Sequence, residues 1–141
     1  MNGLLPILIL AAAVMAADLA GVKAEPNLER RSERALLNAE AAMDEARDAL
    51  QAGDEKKLAA ALRETGDSID LCKLSLEQSG KNARKSPKYF KKAEIGIRKL
   101  ARRLENFKLE MAFDDREPVE KLIVRAHELQ EEILDKIMRK K

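Results

Sequence analysis

Residues 87–111 read PKYFKKAEIGIRKLARRLENFKLEM. Apolar side chains fall at Phe90, Ala93, Ile97, Leu100, Leu104, Phe107 and Met111, in alternating steps of three and four. That spacing returns to one side of a 3.6-residue turn and misses the two-residue period of a strand. The stretch predicts one amphipathic helix. Ser86 suits its N-cap and Pro87 its first helical position, where the missing proline N–H costs nothing.

The same pattern recurs on both sides. Leu36, Ala39, Met43, Ala46 and Leu50 mark one segment, and Leu58, Leu62, Thr65, Ile69, Cys72 and Leu76 a second. Val119, Leu122, Ala126, Leu129 and Ile133 mark the last. Asn27 suits the first N-cap, Gly53 a left-handed stop, and Asp54 the next N-cap. Gly80 closes the second segment, and Asp114 or Asp115 is expected to cap the fourth. Four helices of about 25 residues, each roughly 37 Å long, follow. Short connections make sequential neighbours antiparallel, so the fold class is all-α, an up-down bundle of four long helices. Leu37, Leu71, Leu74, Ile123, Leu134 and Met138 widen the stripe and favour a closed bundle. A stripe wider than four helices can bury would pair two chains into a homo-oligomer. The first helix is Ala-rich on its inner face and is expected to bury least and fray first. No internal repeat stands out, and the Trp, Gly, Tyr and Pro pattern of tetratricopeptide repeats is absent.

Composition agrees with long helices. The 141 residues are 37% charged and 3% aromatic, with no Trp. Leu4 to Ala17 is an uncharged, apolar run broken by Pro6 and ended by Asp18. At about 14 residues it is short of the roughly 20 that a membrane-spanning helix needs. It suits the core of a signal peptide, with Val22 and Ala24 as the small residues read at the cleavage site. The expected organisation is a signal peptide over 1–24 and a bundle over 25–141, located outside the cytoplasm. The start, Met1-Asn2-Gly3, has no Lys or Arg, which leaves an uncleaved amino-terminal anchor as the alternative.

The chain offers no catalytic constellation, and no cofactor or metal is expected. His127 opens His-Glu-Leu-Gln-Glu, where the zincin pattern would need a second His at the position of Glu131. A solvated or locally paired His is the reading. Gly80-Lys81-Asn82 lacks the upstream glycine and strand of a phosphate loop. Ser75, Ser79 and Ser86 have no activating pattern. Cys72, the one cysteine, sits in the apolar register and reads as a small buried hydrophobe.

One feature has functional reach. Residues 81–103 carry 10 basic side chains against 1 acidic, a net of +9, inside a chain of net charge +2. Lys81, Arg84, Lys85, Lys88, Lys92, Lys99 and Arg103 are the candidate anion-binding residues. Lys88, Lys92, Lys99 and Arg103 are spaced to share a stripe. Cations at the amino end of a helix oppose its dipole, which calls for a compensating contact. Two partners remain open: an acidic neighbouring helix inside the bundle, or an external anion such as a lipid surface, an envelope polymer or an acidic protein. Nucleic acid is the poorest fit, since export separates the chain from it and Tyr89 is the lone stacking candidate.

The stretch Lys85-Ser86-Pro87-Lys88-Tyr89-Phe90-Lys91-Lys92-Ala93-Glu94-Ile95, continuing to Arg102-Arg103-Leu104, resembles a segment of short exported bacterial helical proteins with no assigned activity. The resemblance implies export and an all-α fold, and it brings no functional residues. The expected function is a non-enzymatic interaction or envelope-associated module, with anionic-surface binding through residues 81–103 as the alternative.

Overall fold

A computed structural model of the protein describes residues 16–138. The described chain is all-α: α1 (Leu19–Lys23), α2 (Leu28–Ala52), α3 (Glu55–Gln78), α4 (Pro87–Glu110), a 3-10 turn (Phe113–Asp115) and α5 (Glu117–Met138). The apolar run up to Met15, on which the leader reading mainly rests, lies outside the described residues. No described helix is long and apolar enough to cross a membrane.

The punctuation shows why the helices begin and end where they do. The Asn27 side chain accepts from the Arg30 amide at 2.9 Å and starts α2. Gly53, at φ 69°, ends α2 in the left-handed region that an L side chain resists. Asp54 then accepts from the Lys57 amide at 3.1 Å and starts α3. Ser86 stands at the N-cap of α4 without a side-chain cap bond, and Pro87 holds the first position. The fourth long helix departs from expectation. Asp114 and Asp115 belong to the 3-10 turn instead of capping α5. It is the Arg116 carbonyl that accepts from the Val119 and Glu120 amides, both at 3.0 Å.

Two antiparallel hairpins, α2–α3 and α4–α5, make the most extensive contacts. They stack side by side, α2 beside α4 and α3 beside α5, while α3 and α4 barely touch. Sequential long helices are therefore neighbours within each hairpin only, and the 79–86 connection crosses to the diagonal position. Partners across the stack keep a nearly constant separation. Asp44 meets Arg103, Gly66 meets Arg125 and Lys73 meets Glu132, each 59 residues apart. A constant separation means that the facing helices run parallel.

The core lies between the hairpins. Met43, Ile69, Ile97, Leu100, Leu104, Val119 and Ile133 are fully enclosed. Burying one such side chain stabilises by roughly 1.5–3 kcal/mol relative to exposure. Interior hydroxyls are satisfied locally: Thr65 donates to the Ala61 carbonyl at 2.9 Å and Ser75 to the Leu71 carbonyl at 2.7 Å. The stripe is narrower than its sequence suggests. Of the flanking residues Leu71 is buried and Ile123 packs partly, but Leu37 and Met138 are 68% and 72% exposed. The inner face of α2 is Ala-rich, as its sequence indicates. Ala35, Ala39, Ala42, Ala46 and Ala49 are buried, their small size allows close approach, and α2 touches α1, α3 and α4.

Candidate anion-binding surface

The stacking decides where the basic block points, because it sets the acidic α2 beside α4. Lys81 Nζ lies 2.9 Å from the Glu29 carboxylate and Lys92 Nζ 3.3 Å from Glu33. Arg103 reaches Glu40 at 2.7 Å and also pairs with Asp44. Arg98 pairs along its own helix with Glu94 at 3.5 Å. Three of the seven candidates, Lys81, Lys92 and Arg103, are thus turned toward α2. Of these only Lys81 and Lys92 lie near the amino end of α4, where α2 carboxylates offset the unfavourable dipole.

These pairs alter the groups in them. The hydrogen bond from Lys81 holds the Glu29 carboxyl below its ordinary value, and the same bond holds the Lys81 ammonium above its own. Partial burial of Arg103 pulls against its charge, yet the hydrogen bonds to Glu40 and Asp44 outweigh that and raise its pKa. Lys81 Nζ also lies 5.2 Å above the Tyr89 ring, which is half-buried and therefore poorly placed to stack on a base.

The other four candidates, Arg84, Lys85, Lys88 and Lys99, are exposed and have no carboxylate partner among the described residues. Lys91 and Arg102 share that condition. At about 100° per residue, Lys88, Lys91, Ile95, Lys99, Arg102 and Leu109 fall on one stripe of α4. That stripe faces directly away from the core. Ile95 and Leu109 are 55% and 68% exposed within it. The stripe expected from spacing alone, Lys88–Lys92–Lys99–Arg103, is rotated toward α2. Lys91 and Arg102 could have been found by taking the side opposite Ala93, Ile97, Leu100 and Leu104.

The remaining candidates sit elsewhere. His127 Nε2 lies 2.9 Å from Glu105 on α4, not against Glu131. Cys72 is fully buried, and burial pushes its thiol up to about 12. Among the described residues no three His, Cys, Asp or Glu side chains gather as a metal-ligand group. A cavity of about 750 Å³ opens at the far end of the stack, with Leu58, Leu62, Met111 and Leu122 in its walls and charges of both signs at its rim. No family model, curated protein or solved structure matches the chain.

Proposed function

We propose that this chain is a non-enzymatic interaction module of the extracytoplasmic space, exported by its apolar leader, that contacts an anionic envelope surface through the outer face of α4. One observation carries the reading. Lys88, Lys91, Lys99 and Arg102 project from a single stripe without acidic partners among the described residues, and two exposed apolar side chains, Ile95 and Leu109, lie between and beyond them. Cations interleaved with apolar residues fit an anionic lipid surface, where each Lys or Arg contributes about 1 kcal/mol. The contact is a surface one, since no described helix could span the bilayer.

Sedimentation with vesicles tests this. The protein should bind phosphatidylglycerol-containing vesicles at low ionic strength, release them as salt rises, and ignore neutral vesicles. Replacing Lys88, Lys91, Lys99 and Arg102 together by Gln should abolish binding while helicity persists. Replacing Lys92 by Gln should leave binding nearly unchanged, because that cation is spent on Glu33. Absence of binding at low salt would overturn the reading.

A further inference from the structure

Residues preceding α2 are held by a built receptor. The first amides of a helix lack intrahelical acceptors. At the start of α1 three consecutive ones find side chains from the other helices. Ala17 N donates to Glu45 Oε1 at 3.0 Å, Asp18 N to Asn38 Oδ1 at 2.7 Å, and Leu19 N to Glu64 Oε1 at 3.0 Å. Two of the three acceptors, Asn38 and Glu64, are tied to one another. Asn38 Nδ2 donates to Glu64 at 3.0 Å and to Ser68 Oγ at 2.9 Å, and Ser68 donates to the Glu64 carbonyl at 2.8 Å. With the segment in place Asn38 and Ser68 are buried, and Asn38 Oδ1 takes its hydrogen bond from the Asp18 amide. Val22 adds an apolar anchor, itself buried against the core.

The far side of the segment is held as well. The Ala24 amide donates to the Ala20 carbonyl at 3.2 Å and the Glu25 amide to the Val22 carbonyl at 3.1 Å. Arg31 Nε donates to the Glu25 carbonyl at 2.7 Å, and the Glu25 carboxylate pairs with Arg34 at 3.0 Å.

We propose that the cleft formed by Asn38, Glu45, Glu64 and Ser68 is a docking site for residues 17–24 of the same chain, and that its occupation closes the Ala24–Glu25 bond in the folded protein. A processing peptidase reads small side chains on an extended backbone. Here Val22 is inside the core, and Ala24, the C-cap of α1, has right-handed α angles instead of extended ones, at φ −73° and ψ −12°. Removal of the leader after Ala24 therefore has to precede folding, and a chain that folds first keeps the segment. The docking stands apart from the export reading; only the processing consequence rests on it.

The test uses the full chain in mild detergent and trypsin, whose Lys23–Ala24 bond lies in the docked segment. Cleavage after Lys23 should be about tenfold or more slower than in the exposed connection at Arg84 and Lys85, since cutting follows the open population. Replacing Asn38 and Glu64 together by Ala should raise cleavage after Lys23 about tenfold and leave cleavage at Arg84 unchanged. Equal rates at Lys23 in the two proteins would overturn the proposal. Should the double variant unfold, hydrogen exchange of the unmodified chain decides: the amides of Ala17, Asp18 and Leu19 should be protected, and exchange there at the rate of an unfolded peptide would overturn it.

Discussion

The guanidinium of Arg103 donates to the Glu40 carboxylate at 2.7 Å and to the Glu40 carbonyl at 3.0 Å. One side chain of α4 thus holds both the side chain and the backbone of an α2 residue, and it pairs with Asp44 one turn further on. Replacing Arg103 by Ala leaves Glu40 half-buried and without its counter-charge. The expected loss is about 1–3 kcal/mol of unfolding free energy by urea denaturation. Lys99→Ala, four residues away and facing solvent, should stay within about 0.5 kcal/mol.

Acid should weaken the Glu29–Lys81 pair in a definite window. Glu29 titrates below its ordinary value of 4.5 when folded, so its contribution is present above 4.5 and is lost as pH falls through the lowered folded value. Lys81 is raised above 10.5, so its share is present below 10.5 and is lost as pH rises through the folded value. Carboxyl carbon NMR should find Glu29 titrating lower than in the Lys81→Gln variant, where it should return toward 4.5.

Much of this was legible in the residues. The stripes at steps of three and four picked out the core, and Asn27, Gly53 and Asp54 marked helix ends, because caps and left-handed turns are local chemistry. Order around the bundle is not local. Periodicity tells which side of α4 faces inward, yet nothing in it says that α2 is the neighbour. That fact turned Lys81, Lys92 and Arg103 toward α2 and left Lys91 and Arg102 outside. Asp114 and Asp115 misled because two adjacent acids offer a cap at either position, while the chain spends both in a 3-10 turn. A clue to the stacking was present: Glu33 and Lys92, and Asp44 and Arg103, are opposite charges at the same separation.

Gly66 lets α5 come close to α3. A Cβ there would lie 2.5 Å from Arg125 Nη1 and 3.0 Å from Leu122 Cδ2. The Arg125 guanidinium is held in place by the Gly66 carbonyl at 3.0 Å and by Asp70. Gly66→Ala should therefore lose part of the roughly 1 kcal/mol by which Ala favours a helix interior, because Arg125 and Leu122 must shift. Combining it with Arg125→Ala should recover part of that loss, so a double-mutant cycle should give non-zero coupling. Additivity of the two changes would contradict the close approach.

Cys72 reports opening. Its thiol is buried and pushed up to about 12, so the native chain should resist iodoacetamide at pH 8. Labelling should appear as urea populates the unfolded state and track loss of helicity. Rapid labelling without denaturant would show that the α3 interior opens on its own.

The constant separation across the stack has a directional meaning. Two like hairpins laid side by side form a pile with two unlike ends. Asn38 and Glu45 lie on the side of α2 away from α4, so α1 shuts the end belonging to the first hairpin. The outer side of α4, at the other end, is bare and positively charged. The molecule is therefore polar as a building block: one side is covered by α1, and the opposite side carries the uncovered cations of α4.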